Sequence, residues 1–275
     1  MNLNLPFADY LAAPGISSSS VRQYIRSPSH YRHYLETGGE PPTPAQLVGT
    51  LIHCAVLEPG SWHARYVIAP AVDRRTKDGK QAWATFAAAN KNREIVSADQ
   101  HETAWTIADR LSEMPEFRRL KFSGINSAVE ASAFAIDPES GLQTKARADF
   151  VRADGVLMDL KSAADASPHG FASACARYGY HIQAAFYLDT FNADPADGPQ
   201  YDRFCFVAVE KAAPYAAGVY WLDEASIELG RQQYRKALLE IAQHQRNDTW
   251  PVGYGEQEIS LPAWAFWENE EEVTL

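Results

Sequence analysis

The chain has 275 residues, of which 46% are hydrophobic and 22% charged, a balance typical of a globular domain and not of a disordered or fibrous chain. No apolar run approaches the roughly 18 residues of a membrane span. The net charge of −10 argues against binding nucleic acid through overall charge, although segregated basic residues or a bound divalent cation could still create such a site.

The cysteines and the N-terminal stretch indicate the cellular compartment. Cys54, Cys175 and Cys205 are widely separated and form no CxxC pair, so we expect no disulfide framework, zinc knuckle or four-cysteine cluster. The stretch "MNLNLPFADYLAAPG" lacks a basic start and contains Asp9, so we expect no signal peptide. Both observations favour a protein of the reducing cytoplasm.

Helix start signals dominate the first third of the chain. A serine or threonine precedes each of four predicted helices, and a proline or a glutamine in the first turn strengthens three of these starts. The starts lie at 18–20, Ser27-Pro28, Thr43-Pro44 and Ser97 with Gln100. The polar segment "DRRTKDGK" (73–80) is predicted to be a loop.

The middle of the chain changes to a strand pattern. Five strands are predicted, at 128–136, 142–151, 155–160, 201–210 and 215–222. Two helices, which start at Ser167-Pro168 and after Gly179, separate the third strand from the fourth, and Asp223 can cap a long final helix. This order predicts an α/β fold with an α+β mixed sheet and a helical N-terminal wrap.

We find no strong linker and expect one domain over residues 1–275. Its predicted parts are a helical N-terminal part (about 17–120), a core (about 121–250) and an acidic, aromatic tail (256–275). In the tail, Trp264, Phe266 and Trp267 would pack on the body while the acids are solvated, or the tail would dock on another protein.

Two predicted strands joined by a turn, 142–151 and 155–160, each contain an aspartate. Asp149 and Asp159 lie near the ends of strands that would pair antiparallel, where opposed side chains are about 4.5–5.5 Å apart. Such carboxylates repel unless a proton or cation lies between them, and a hard divalent cation suits oxygen ligands. Lys161 is two residues beyond Asp159 and so on the same face. The set suits metal-assisted phosphodiester hydrolysis; the alternative is an exposed hairpin edge with a salt bridge.

Other polar residues could join this site. Gln183 and Tyr187 are four apart on a predicted helix and share a face, with Tyr180 beside them. Glu130 lies in the preceding strand, and His53 lies on a helix one turn after a glycine. Each also has a structural interpretation: a lone helical histidine is more often structural, tyrosines at helical spacing are usually core, and Glu130 could face solvent.

The order of these residues resembles a known family. G-x-x-x-H (49–53), an acid in a strand, Asp149, D-x-K (159–161) and Q-x-x-x-Y (183–187) resemble the RecB-type branch of the PD-(D/E)xK nuclease superfamily. Within it the chain is most similar to phage and prophage exodeoxyribonuclease VIII (RecE-type) nucleases, over about residues 17–222. The segments that carry the resemblance are "LVGTLIHCAVLEP", "DRRTKDGKQAW", "KARADFV", "DLKSAADASP" and "GYHIQAAFYLD". Ala148 stands before Asp149, at the position of the proline in the superfamily's nominal motif. The chain also lacks the four cysteines of the iron–sulfur relatives in the same branch, which separates it from them.

The resemblance implies a restriction-endonuclease-like core and a role for each site residue. The metal ligands would be Asp149, Asp159, His53 and the carbonyl of Leu160, with Mg²⁺ as the metal and Mn²⁺ as a substitute. Lys161 would be the catalytic lysine, Gln183 and Tyr187 would hold the lysine, the water or the DNA backbone, and Glu130 would be an additional catalytic acid.

The resemblance also implies an activity: degradation of linear double-stranded DNA from the 5′ end in phage-type recombination. Relatives form rings and work with a single-strand annealing protein. The alternatives are an endonuclease or single-strand-specific nuclease on the same core, or a non-catalytic DNA-binding or phage-assembly protein.

Two groups of basic residues are candidate DNA contacts, together with Tyr180. The first lies in the loop at 73–80, and the second shares the sheet face of Asp149 by period two. They are Arg74, Arg75, Lys77 and Lys80 in the loop, and Lys145 and Arg147 in the strand. The alternatives are a solvated loop and a salt bridge from the strand pair to Glu130.

Overall fold

The computed structural model of the chain describes residues 2, 5–41, 43–121, 125–194, 198–262 and 265. A five-stranded mixed sheet forms the centre, and helices cover both of its faces, which confirms the predicted fold class. The helices are α1 (Phe7–Ala12), α2 (Ser18–Arg26), α3 (Pro28–Thr37), α4 (Pro44–Leu57), α5 (Trp62–Arg65), α6 (Lys77–Ala89), α7 (Ala98–Glu113), α8 (Pro115–Lys121), α9 (Pro168–Tyr178), α10 (Tyr180–Ala193) and α11 (Glu224–Asn247). The strands are β1 (Tyr66–Ile68), β2 (Glu94–Val96), β3 (Ser127–Ile136), β4 (Gln143–Arg152), β5 (Val156–Ala163), β6 (Arg203–Glu210) and β7 (Ala217–Trp221).

Capping side chains set the starts of the N-terminal helices. Ser17, Thr43 and Ser97 each accept a hydrogen bond from the backbone N–H three residues later, and the side chain there reaches back to the cap. Ser27 caps α3, with Pro28 in its first turn. All four predicted starts are confirmed, the first with a cap one residue earlier than predicted, because the chemistry that makes them is local.

The segment 73–80 was predicted to be a loop, and this is wrong for its second half. Thr76 caps α6 by accepting a hydrogen bond from the backbone N–H of Gly79, and the helix continues to Ala89. A Cβ at Gly79 would lie 1.9 Å from the carbonyl oxygen of Asp73, so the turn requires glycine. The sequence did not predict this helix because most of its residues are exposed, so the periodic apolar stripe of a packed helix is missing.

Besides α6, several short elements of the structure have no counterpart among the predicted elements. They are the helices α1, α5 and α8, a 3-10 turn at Pro59–Ser61, and a small parallel pair formed by β1 and β2. None of the helices in the described part of the chain is both long and apolar enough to cross a lipid bilayer.

The predicted tail begins at 256, and its residues 256–262 are exposed. The aromatic residues Trp264, Phe266 and Trp267 and the acids that follow them lie outside the described residues, so packing or docking of the tail stays a prediction.

The main sheet has the order β3-β4-β5-β6-β7. All neighbours are antiparallel except β5 and β6, which are parallel and are therefore joined by a crossover made of α9 and α10. The crossover brings α10 against β3 and β4. The carboxyl end of β5 thus lies close to the start of α10, which is where the site residues gather.

Alternating side chains of the sheet form two apolar layers. On one face, Leu157 and Phe206 pack with α2, α3 and α9–α11; on the other, Met158, Leu160 and Val207 pack with α4, α7 and α8. All five side chains are fully buried. Each contributes about 1.5–3 kcal/mol by leaving water, so the strands that present the site are rigidly held.

The close approach of α10 and α11 gives a first prediction. A Cβ at Gly230 would lie 2.2 Å from the carbonyl oxygen of His181. We expect Gly230→Ala to lower the free energy of unfolding by about 1–3 kcal/mol, measured by urea denaturation, because overpacking outweighs the gain in helix propensity. Gly60→Ala is the matched control, since a Cβ there meets nothing within 4 Å, and it should be close to neutral. Equal stability of the two variants would contradict the close packing.

Candidate active site

Three acids lie side by side across three neighbouring strands. β3 and β4 pair on either side of Glu130, which places this residue opposite Asp149. Asp159 of β5 lies one step beyond the Phe150–Met158 pair of β4 and β5, next to Asp149. Glu130 has a φ of 53°, a left-handed conformation that costs about 1–3 kcal/mol in a non-glycine residue. The predicted neighbourhood of the two aspartates is confirmed.

A cleft with a volume of about 1560 Å³ opens over these acids. Its lining comes from the segments 5–65 and 129–187 and from Lys211, and it includes the residues that the sequence placed in the catalytic and metal-binding groups. They are His53, Glu130, Asp149, Asp159, Leu160, Lys161, Gln183 and Tyr187. Side chains that lie far apart in sequence therefore share one cavity.

Helix α4 contributes His53 to the cleft. Its Nδ1 lies 3.3 Å from Oδ2 of Asp149. One turn earlier, a Cβ at Gly49 would lie 3.1 Å from Oγ of Ser162, so glycine lets α4 approach β5 closely. Burial lowers the pKa of His53, although the Asp159 charge and the Leu160 carbonyl act in the opposite direction. A neutral imidazole is the form that ligates metals.

Potential ligand atoms of His53, Glu130 and Asp149 all lie within 4.8 Å of one another. Burial, followed by the charges of Asp159 and Glu130, raises the pKa of Asp149 well above its usual range. A cluster in which carboxylates repel each other beside a neutral imidazole fits a divalent cation, which accepts oxygen and nitrogen ligands and relieves the repulsion.

Both carboxylate oxygens of Asp159 have partners among the predicted site residues. Its Oδ1 accepts a hydrogen bond of 2.6 Å from Nε2 of Gln183, and its Oδ2 lies 2.5 Å from Nζ of Lys161. Glu130, predicted to be an additional acid, lies in a group of close ligand atoms with His53 and Asp149. The predicted role of Asp159 as a metal ligand stays a prediction.

Lys161 is charged and held from several sides. Burial acts to lower its pKa, but the carboxylates of Asp159 and Asp149 outweigh burial and raise it overall. The ammonium lies 4.8 Å from the ring centroid of Tyr180 and 5.9 Å from that of Phe206, both distances at which a cation is attracted to an aromatic face. Tyr180, predicted to contact DNA, thus lies against the lysine.

Tyr187 extends this group behind the acids. Its side chain is buried, and burial followed by neighbouring charges raises its pKa well above the usual range, so the hydroxyl keeps its proton. The hydroxyl also interacts with Gln183. Tyr187, Gln183, Asp159 and Lys161 therefore form a continuous polar chain in the wall of the cleft.

The basic residues predicted at 73–80 do not line this cleft. Arg75 is paired with Asp73 at 2.9 Å, and the guanidinium carbon of Arg74 lies 4.1 Å from the ring centroid of Trp83. The other two, Lys77 and Lys80, lie in the first turn of α6 and are exposed. DNA contact by this group, outside the cleft, stays a prediction.

The two basic residues of β4 line the cleft but already have partners. Lys145 is buried, and its Nζ donates to three carbonyls at the end of α1 at 2.6–3.1 Å. Arg147 donates to Glu130 at 2.7 Å and to the carbonyl of Leu5 at 2.9 Å. The salt bridge given above as the alternative is therefore observed for Arg147, and Lys145 satisfies a helix end. Their predicted contact with DNA is untested.

Comparison with known proteins identifies one sequence family. Residues 17–260 match a family described as a PDDEXK-like domain of unknown function (DUF3799). No protein of curated function matches the sequence.

Among solved structures, the chain is similar to a provisionally named exonuclease from Eubacterium rectale, with a TM-score of 0.61, 12% identity, and coverage of 95% of this chain and 96% of that chain. At that identity the likeness shows a shared fold. An alkaline exonuclease from Laribacter hongkongensis, LHK-Exo, matches 69% of this chain and 97% of its own at 14% identity, with a TM-score of 0.28 that is too low to establish a common fold.

Proposed function

The chain belongs to the family of PDDEXK-like domains known as DUF3799, and from that membership we propose that it is a metal-dependent exodeoxyribonuclease. The observation that carries the proposal is the single cleft that contains His53, three neighbouring acids and Lys161. This is the combination of metal ligands and a fixed cation that phosphodiester hydrolysis needs.

Each residue is given a role by its contacts. His53, Asp149 and Asp159 would hold the metal, with the Leu160 carbonyl beside them. Glu130, whose ligand atom lies within 4.8 Å of those of His53 and Asp149, would be an additional acid at the same site. When bound there, Mg²⁺, or Mn²⁺ in its place, would polarise the scissile phosphate and lower the pKa of a water molecule.

Lys161 would orient the attacking water and balance the negative charge that builds up on the phosphate oxygens. Oδ2 of Asp159 lies 2.5 Å from Nζ of Lys161. Gln183 donates a hydrogen bond to Oδ1 of the same carboxylate and so holds it in place. The lysine is therefore preorganised before the substrate arrives, which is what electrostatic stabilisation of a transition state requires.

The preferred substrate in this proposal is linear double-stranded DNA, degraded from the 5′ end to mononucleotides. The RecE-type resemblance supports this direction, as well as a ring-shaped homo-oligomer and a single-strand annealing protein as partner in phage-type recombination. These finer assignments depend on the resemblance and not on the contacts in the cleft.

A digestion time course tests the proposal. Linear duplex labelled at the 5′ or the 3′ end is incubated with Mg²⁺, next to closed-circular duplex, single strands and a chelator control. We expect the 5′ label to be released first from linear duplex, the circle to stay intact, and the chelator to stop the reaction. A cut circle would indicate an endonuclease, consumption of single strands alone a single-strand-specific enzyme, and no metal-stimulated degradation a non-catalytic DNA-binding protein.

The contact between Tyr180 and the lysine gives a further prediction. Tyr180→Leu removes the aromatic face 4.8 Å from Nζ, and we expect kcat to fall by about tenfold, because a desolvated cation–π contact is worth about 1–2 kcal/mol. KM should change little. Tyr180→Phe keeps the ring and is the matched control, with kcat near that of the wild type. A loss in Tyr180→Phe equal to that in Tyr180→Leu would mean that the hydroxyl, and not the ring, is important.

A further inference from the structure

The cations of the cleft fall into two classes. Four have their charge matched within the chain or saturated by carbonyl groups: Arg65 with Glu58, Lys145 with the end of α1, Arg147 with Glu130 and Lys161 with Asp159. Three others, Arg22, Arg177 and Lys211, line the cleft without a carboxylate within ion-pair distance among the residues that the structure describes.

Arg22 is held in place by neutral groups. Its Nη1 donates to the carbonyl of Tyr178 at 2.8 Å and its Nη2 to Oγ of Ser19 at 3.1 Å. Its Nε is buried without a partner in the described part of the protein. Gly179 permits the approach, because a Cβ there would lie 3.1 Å from Cδ of Arg22. A guanidinium that is fixed by neutral groups and has no counter-charge leaves a net positive charge at the cleft, which suits an anion.

Aromatic rings connect this region to the catalytic lysine. The ring of Tyr178, half exposed, lies 5.8 Å from that of Tyr180, which in turn lies 4.8 Å from Nζ of Lys161. The guanidinium of Arg177 lies 5.6 Å from the ring of Tyr178. Cations and rings therefore alternate along the wall, which is the arrangement that binds a nucleic acid strand by its phosphates and by stacking of its bases.

Another part of the cleft lining has a different character. Phe7, Leu11 and Leu35 line it and are 57%, 58% and 57% exposed. Apolar side chains do not attract phosphates. The lining formed by these three residues is therefore less suited to a charged backbone than the lining formed by Arg22, Arg177 and Lys211.

We propose that Arg22, Arg177, Tyr178 and Lys211, here called the α2–α9 wall, form the binding site for the DNA strand next to the scissile phosphate. The three cations bind backbone phosphates, and Tyr178 stacks on a base. The inference rests on the proposed function for the identity of the strand, but binding can be measured without cleavage.

The test uses the full chain and fluorescence anisotropy with a labelled single strand and a labelled partial duplex, in chelator, so that no cleavage occurs. Arg177→Gln with Lys211→Gln is the main variant, because both side chains are at least partly exposed and no carboxylate of the described residues lies within ion-pair distance of either. We expect Kd to rise about tenfold or more, and the slope of log Kd against log salt to fall by about 1.4, since each lost phosphate contact to a single strand removes about 0.7.

Two more variants complete the experiment. Tyr178→Leu should weaken binding without changing the salt slope, because stacking is not ionic. Arg110→Gln with Arg118→Gln, two exposed cations of α7 and α8 outside the cleft lining, is the matched control and should bind like the wild type. Arg22→Gln is assayed with its melting temperature as a check on folding.

The outcomes separate this inference from the proposed function. Wild-type affinity and salt slope in Arg177→Gln with Lys211→Gln would overturn the α2–α9 wall even if the protein degrades DNA. If this variant bound DNA more weakly but the wild type never degraded DNA, the α2–α9 wall would be supported and the proposed nuclease function overturned. If the wild-type protein bound neither the single strand nor the partial duplex, both the α2–α9 wall and the proposed nuclease function would be overturned.

Discussion

Replacing Lys161 with alanine is expected to lower the rate of DNA cleavage by about 10³-fold, as for the loss of a preorganised group that stabilises transition-state charge. The lysine carries its charge at neutral pH because Asp159 and Asp149 raise its pKa. The measurement is the initial rate of nucleotide release from linear duplex with saturating Mg²⁺. DNA affinity should stay close to that of the wild type, because binding depends on other cations of the cleft.

Lys236→Ala is the matched control for this variant. Lys236 is on α11, its side chain is 79% exposed, and its partner is Glu240 on the next turn, so its removal should leave the rate unchanged. Lys161→Ala also leaves Asp159 without its ammonium, although Gln183 still donates to that carboxylate. A melting temperature separates lost catalysis from lost fold. Cleavage at the wild-type rate in Lys161→Ala would show that the proposed mechanism is wrong.

Much of the fold can be predicted because its determinants are local. The helix starts depend on side chains three residues apart, such as Ser97 and Gln100, and the strands on alternation and turn residues. Helix α6 could not be predicted in the same way. It is capped by Thr76 but exposes most of its length, so the periodicity that reports burial is missing.

The residues of the site could be predicted, but not how they pair. Adjacent strands and period two place Asp149, Asp159 and Lys161 together, and this requires only the order of the strands. The left-handed backbone at Glu130 and the hydrogen bond from Gln183 to Asp159 are tertiary features that no local pattern predicts. The paired set is thus a property of the folded sheet.

The cations of the α2–α9 wall illustrate the same limit. Arg22 belongs to α2, Arg177 to α9, and Lys211 follows β6. No local motif relates residues from three separate elements. The sequence instead emphasised 73–80, where basic residues cluster, and the structure places that cluster outside the cleft lining. A cluster of basic residues in the sequence shows only where positive charge lies. Which cations are free to bind a phosphate depends on whether a carboxylate lies close to them, and this is known only from the fold.

Asp149→Asn is expected to change stability and activity in opposite directions. Burial and the charges of Asp159 and Glu130 raise the pKa of Asp149 in the folded protein. A carboxyl with a raised folded pKa stabilises the fold below its unfolded pKa of about 3.9, and that contribution is lost as the pH rises towards the folded value. At neutral pH the metal-free wild type has therefore lost some or all of this stabilisation. Asparagine is neutral at every pH, and its amide oxygen can still accept the hydrogen bond from the backbone N–H of Leu160.

Melting temperatures in chelator should accordingly be higher for Asp149→Asn than for the wild type at neutral pH, and the difference should disappear at about pH 4. Asp154→Asn is the matched control, and the expected change in its melting temperature at neutral pH has the opposite sign. The Arg152 guanidinium lowers the pKa of Asp154, so this carboxylate stabilises the fold above its unfolded pKa, and its replacement should lower the melting temperature at neutral pH.

Added metal should reverse the order of the two proteins. A ligand that binds only the folded state at about 100 times its Kd stabilises it by about 2.7 kcal/mol, and we expect Mg²⁺ or Mn²⁺ to raise the melting temperature of the wild type but not of Asp149→Asn. Cleavage should fall with the loss of metal, by about 10³-fold or more. If metal stabilised Asp149→Asn as strongly as the wild type, the cation would be held elsewhere. If the metal-free variant were the less stable protein, the carboxylate would be well accommodated without a cation, and the electrostatic reason for a metal beside His53 and Glu130 would be lost.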